Sequence, residues 1–197
     1  MKRALLVIDV QESFRARKSW DLINHPDIAE RCSRLVAAAR AAGDLVVWVL
    51  HTEPGTGTVF DPASGHVRLL EPLQPADGEP VLTKTSHNAF TTTNLQQLLT
   101  RHGVEEIVIS GIRTEQCCET TARVGFDLGY RVVFVADATA TQPLAAPGLS
   151  LDRDFDRVVN DPRTLPADQV TERTVYALAG RFATIASLAD LAGSAAA

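Results

Sequence analysis

Residues 107–135 read IVISGIRTEQCCETTARVGFDLGYRVVFV. The apolar run Ile107–Ile109 has the length and the β-branched content of a buried strand. Gly111 permits a sharp turn after it. Thr114 is a candidate helix N-cap, and Glu115 and Glu119 suit the first turns of a helix expected over Thr114–Leu128. Gly129 stops that helix, and Tyr130–Val135 is a second buried strand closed by Asp137. Strand, helix and strand in direct succession favour a parallel sheet.

The same alternation runs outward in both directions. Ala4–Ile8 is a continuous apolar run ended by Asp9, followed by Gln11 and Phe14 in a loop. His25–Ala42 is an expected helix with Pro26 in its first turn and a stripe of Ile28, Leu35, Val36 and Ala39; Cys32 is expected among them, and Gly43 ends the helix. Leu45–Leu50 is a strand with His51 at its end. Thr52–Pro80 reads as loop with room for one short helix. Val81–Thr83 is a short strand followed by Lys84, Asn94–Arg101 a helix, and Glu106–Ile109 the strand that enters the central motif. Ala138–Asp168, with four prolines, reads as an irregular excursion containing a short helix near Asp152–Val159. Thr171–Phe182 is an expected helix, Ala183–Ser187 a last strand, Leu188–Leu191 a terminal turn, and Gly193–Ala197 a frayed tail. This pattern implies a single α/β domain over residues 1–197, with a mostly parallel sheet and helices on both faces.

Composition narrows the function. The chain has 197 residues, 45% of them hydrophobic, and a net charge of −5 with both signs interspersed. No basic run marks a nucleic-acid surface, and the one N-terminal apolar run is too short to span a membrane. Three cysteines without CxxC spacing form neither a disulfide framework nor a zinc site, so a reducing cytoplasm is the expected compartment. His51, Glu53, Asp61 and His66 lie at irregular spacing, which argues against a metal site.

Cys117 and Cys118 fall in the first turn of the expected helix, where free N–H groups favour a thiolate. Their side chains leave a helix about 100° apart, so at most one faces a cleft and the other packs as a small apolar residue. Asp9 is either a turn former or a carboxylate facing a ligand. Lys84 is either solvated surface or a cleft residue. Asp9, Lys84 and Cys117 nevertheless all follow apolar strands, which puts a carboxylate, an ammonium and a thiol at one sheet edge, where open α/β sheets bind ligands.

Three segments, LLVIDVQESF, LTKTSHNAF and GIRTEQCCETTARVGFDLGYRVVFVADATA, resemble the isochorismatase-like cysteine hydrolases, among them nicotinamidases, carbamoylsarcosine amidases and streptothricin hydrolases. The resemblance runs from Ala4 to about Leu191. It implies a Rossmann-like six-stranded sheet of order 3-2-1-4-5-6, with Asp9 as general base, Lys84 as triad lysine and Cys117, rather than Cys118, as nucleophile. It also implies a cis peptide between Ile112 and Arg113, with the N–H groups of Arg113 and Cys117 forming an oxyanion hole. Isochorismatases proper cleave a vinyl ether and lack the cysteine, so Cys117 favours amide chemistry through a thioester. The Asp-x-His pair of metal-dependent nicotinamidases is absent here, which predicts neither metal nor cofactor. Gln11, Phe14, His51, His87, Phe90 and Gln116 are candidate pocket residues for a small-molecule substrate. Family members commonly form dimers or larger assemblies, so a homo-oligomer is expected. The alternatives are ether hydrolysis of the isochorismatase type and a non-catalytic binding module on the same fold.

Overall fold

In the computed structural model, residues 2–193 are described, and all but Gly193 of the expected tail lies outside them. Six strands, β1 (Lys2–Ile8), β2 (Leu45–His51), β3 (Val81–Lys84), β4 (Val104–Ile112), β5 (Arg131–Ala140) and β6 (Thr184–Ala186), form one sheet of order β3-β2-β1-β4-β5-β6. Every pairing is parallel. Alternate side chains of β1 serve two cores. Leu5 and Val7 pack with Ile28, Cys32, Leu35, Val36 and Leu188, from α2 (Ile28–Ala42) and α7 (Leu188–Ala192). Ala4, Leu6 and Ile8 pack with Leu95, Leu99, Ala122 and Leu178, from α3 (Leu95–His102), α4 (Glu119–Asp127) and α6 (Ala167–Leu178). Because both faces are covered, the strands are apolar throughout rather than alternating. α1 (Glu12–Arg15) is a single turn after β1.

Several boundaries differ from the sequence expectation. α2 begins at Ile28, because His25–Asp27 form a preceding turn in which the Ile28 N–H donates to the His25 carbonyl. β4 and β5 run past their apolar cores into polar residues. Asp137 does not close β5; it lies where the register slips between Ile109↔Phe134 and Gly111↔Thr139, and its carboxylate accepts the Leu188 N–H at 2.7 Å. The excursion starts only after Ala140; its short helix, α5, spans Phe155–Asn160, and Leu144 and Leu165 bridge its two ends. α6 starts at Ala167, not Thr171. Pro166 precedes its first turn, and the buried positions Ala167, Val170, Thr174 and Leu178 set the face that packs. α7 is held by a capping box between Ser187 and Asp190.

Gly111 fixes how β4 passes the end of β1. Its φ is 128°, and a Cβ there would sit 1.9 Å from the Ile8 carbonyl oxygen. Only glycine allows this approach. The next residue of β1's chain, Asp9, turns out of the sheet at φ 55°, a left-handed conformation that Asp tolerates better than most residues.

Candidate active site

The sheet order reverses between β1 and β4: β1, β2 and β3 wind one way and β4, β5 and β6 the other. In such sheets the crevice at the carboxyl ends of the strands is the ligand site. Asp9 follows β1, His51 ends β2, Lys84 ends β3, and Cys117 lies in the turn after β4.

That turn is not the regular α-helical start expected from Thr114. Thr114–Cys118 form one π-helical turn before α4. Thr114 does not cap it; its hydroxyl donates to Thr139 Oγ1 at 2.9 Å, and Thr139 in turn donates to the Ala136 carbonyl. The turn is thereby tied to β5. The N–H groups of Gln116 and Cys118 both donate to the Arg113 carbonyl, and the Cys117 N–H between them is not part of that pair. Such wide turns occur often at functional sites. The Ile112–Arg113 peptide bond is cis, as is Glu71–Pro72.

Lys84 organises the interior. Its ammonium lies 2.7 Å from Asp9 Oδ2, 3.4 Å from Cys117 Sγ and 3.3 Å from His51 Nδ1. An ammonium carries three protons and no lone pair, so these three neighbours account for its donors. Asp9 Oδ2 faces this ammonium as an ion pair. Asp9 and Lys84 are both fully buried. Burial raises the Asp9 pKa above its ordinary value, with Lys84 pulling it part of the way back. Burial opposes the charge on Lys84, but Asp9 and Cys117 outweigh it and hold the lysine protonated. Burial also raises Cys117, Asp9 adds to the rise, and Lys84 offsets only part of it. Burial thus works against the thiolate that the helix-start argument favours and toward the thiol form of Cys117. Cys118 and Cys32 are fully buried and also raised, Cys32 to about 12.

Because Lys84 donates to His51 Nδ1, the imidazole proton lies on Nε2, 3.5 Å from Glu53 Oε1. Burial first, and then the Lys84 charge, lower the His51 pKa, so the ring is neutral.

Above the thiol opens a cleft of about 110 Å³ lined by Phe14, Arg17, His51, Glu53, Phe60, His87, Arg113, Gln116 and Cys117. Two of the expected pocket residues are elsewhere. Gln11 is fully buried, and its amide is spent on the backbone of His51 and on Ser13. Phe90 packs in the core beneath α4, stacked on Tyr130 at 6.0 Å. Arg17, Glu53 and Phe60 were not expected in the pocket. Glu53 and Phe60 come from the long loop after β2, where no periodic signal marks them, although Glu53 stands only two residues after the strand-end His51. Arg17 reaches the cleft across the Phe60 ring and pairs with Asp152 of the excursion.

The loop after β2 holds no metal-binding arrangement. Asp61 caps a turn by accepting the Ala63 and Gly57 N–H groups, and among the described residues no three His, Cys, Asp or Glu side chains converge on a cation site. No described helix is long and apolar enough to cross a membrane.

An all-parallel open sheet with a thiol, a carboxylate and an ammonium gathered at its switch point defines an α/β protein with a candidate site at the carboxyl ends of its strands. The isochorismatase domain model matches residues 3–160, and the chain belongs to that family as one of its hydrolases. It is 41% identical over 150 residues to streptothricin hydrolase of Streptomyces noursei, a match covering 75% of this chain and 58% of that protein. It is 34% identical over 151 residues to nicotinamidase 3 of Arabidopsis thaliana, covering 70% of this chain and 73% of the relative. An isochorismatase-family structure from Chromobacterium violaceum superposes with a TM-score of 0.84 at 27% identity, covering 97% of this chain and 92% of the other.

Proposed function

We propose that this protein is a metal-independent cysteine amidohydrolase that cleaves a small-molecule C–N bond through a thioester. The observation that carries the reading is the Lys84 ammonium held between Asp9 Oδ2 and Cys117 Sγ. The names of the two relatives, a streptothricin hydrolase and a nicotinamidase, are consistent with amide chemistry.

Asp9, its proton affinity raised by burial, takes the Cys117 proton as the sulfur attacks the amide carbonyl. Lys84 stabilises the thiolate as it forms. The N–H groups of Arg113 and Cys117 stabilise the tetrahedral oxyanion, a contribution worth about a hundredfold or more per donor in such sites. Protonated Asp9 then gives its proton to the leaving nitrogen, the C–N bond breaks, and a thioester remains. Asp9 next deprotonates a water that attacks the thioester, and the thiol takes the proton back as the acid leaves.

The test is a panel of primary amides, ureido acids and lactams, followed by intact-mass spectrometry of enzyme quenched during turnover. An adduct of the acyl mass on the peptide containing Cys117, absent from Cys117→Ala, is expected. Turnover with no such adduct, and with activity retained in Cys117→Ala, would sink the thioester route.

A further inference from the structure

The charges of the cleft are almost all spent on one another. Lys84 pairs with Asp9, Arg17 with Asp152, and Arg113 with Glu115 at 3.0 Å. Glu53 is the exception among the Lys, Arg, Asp and Glu side chains lining the cleft. Its only basic neighbour is His51, through a contact at 3.5 Å, and Lys84 together with burial keeps that ring neutral. Glu53 Oε2 accepts a hydrogen bond from Thr58 at 3.1 Å, so the carboxylate is held from both sides, with its side chain still 41% exposed toward the cleft. A carboxylate has about four acceptor positions, and these two contacts leave the others open. The rings of Phe14 and Phe60, in edge contact at 5.0 Å, form an apolar wall of the same cleft. From the thiol, Glu53 is reached through Lys84 and one imidazole ring, so both ends of one small molecule can be engaged.

We propose that Glu53 is the specificity determinant of this site, and that the substrate is an amide carrying a cationic nitrogen group, an ammonium, amidinium or guanidinium, a short chain away from the scissile carbonyl. The substrate cation completes the one pairing that the protein leaves open. The two arginines, each committed to its own carboxylate, do not recruit an anionic substrate. The proposal rests on the amidohydrolase reading above and narrows it.

The test compares three amides of matched length, ω-aminohexanamide, heptanamide and adipic monoamide, and also labels Cys117 with cationic trimethylammonioethyl, anionic sulfonatoethyl and neutral methyl methanethiosulfonates. Labelling rates are read by peptide mass and normalised to free cysteine. Wild type is expected to favour the ammonium amide over heptanamide about tenfold in kcat/KM, and the cationic over the anionic reagent by a similar factor. In Glu53→Gln both ratios fall to within about threefold of one, whereas Glu53→Asp retains both preferences. Equal hydrolysis of ω-aminohexanamide and heptanamide by wild type overturns the proposal and leaves the amidohydrolase reading standing. If no amide is hydrolysed, labelling decides. A cationic preference lost in Glu53→Gln upholds the charge selection while the amidohydrolase reading falls. A labelling ratio that Glu53→Gln does not move overturns the proposal.

Discussion

The side-chain amide of Gln11 clasps the backbone of His51 at both ends. Its Nε2 donates to the His51 carbonyl at 2.9 Å, and its Oε1 accepts the His51 N–H at 2.7 Å. The chain leaving β1 thus supplies the hydrogen bonds that a neighbouring strand would give, at the level where β2 delivers its histidine to the cleft. Gln11→Ala leaves a donor and an acceptor of His51 unpaired. It is expected to cost about 2–3 kcal/mol of stability, read by urea unfolding. Loss of less than half of one such bond would mean that water replaces the clasp.

The two adjacent cysteines divide their roles by geometry. Cys117 touches Lys84 and the cleft, while Cys118 is sealed in the core with Leu6, Ala122 and Phe134. Cys117→Ala is expected to lower kcat by at least about a thousandfold with little change in unfolding midpoint. Cys118→Ala is expected to keep turnover and to cost about 1 kcal/mol. Equal loss of activity in the two variants would refute the assignment of the nucleophile.

The Asp9–Lys84 pair predicts a characteristic double-mutant cycle. Removing one partner strands the other charge in a fully buried position. Lys84→Met alone, or Asp9→Asn alone, is expected to cost about 3–5 kcal/mol. The double variant is expected to be more stable than Lys84→Met, because no buried carboxylate remains, while activity is lost in all three. Additive costs in denaturant titrations would show that the two side chains do not sense each other.

Burial of the Cys32 thiol predicts a loss of stability at alkaline pH. Cys32 is pushed up to about 12 in the folded protein from an ordinary value of 9.0, so the unfolded chain releases its proton first. A group raised on folding stabilises the native state fully below the unfolded value, and the benefit is lost as pH rises toward the folded value. Stability should therefore fall between about pH 9 and pH 12, by up to about 1.4 kcal/mol per pH unit for each such thiol. Cys32→Ala should flatten that slope in unfolding experiments run across the window; an unchanged slope would mean that Cys32 ionises normally in the native state.

The parallel sheet was legible because each central strand is an unbroken apolar run and helices stand between the strands, the one over His25–Ala42 carrying a stripe at helical spacing. The meeting of Asp9, Lys84 and Cys117 was legible for a related reason: each stands just beyond such a run, and parallel strands bring those positions to one edge. What escaped was local or long-range hydrogen bonding. The π turn at Thr114–Cys118 depends on Thr114 finding Thr139, which lies in another strand. Gln11 looks like a loop residue until its partner, forty positions away, is in place. Phe90 ends a polar loop and reads as a pocket residue, but the loop turns inward, with the Ala89 N–H donating to the Thr121 hydroxyl. Glu53 and Phe60 sit in a stretch that has no period, and only the fold shows which of its side chains return to the cleft.

The central pairing of the sheet joins residues that are far apart in the chain. Leu5 lies beside Val108, and Ile8 beside Gly111. A nascent chain that has completed β1, β2 and β3 already holds Asp9, His51 and Lys84, yet it has one flank of β1 bare and lacks Cys117. Cys117 arrives only with β4, after a loop closure of about a hundred residues, the kind of distant contact that slows folding. Until then β1, apolar from Ala4 to Ile8, has an open edge that another chain can occupy. The event that seals that edge is the same one that delivers Cys117, so protection from aggregation and assembly of the site are a single step in the life of the polypeptide.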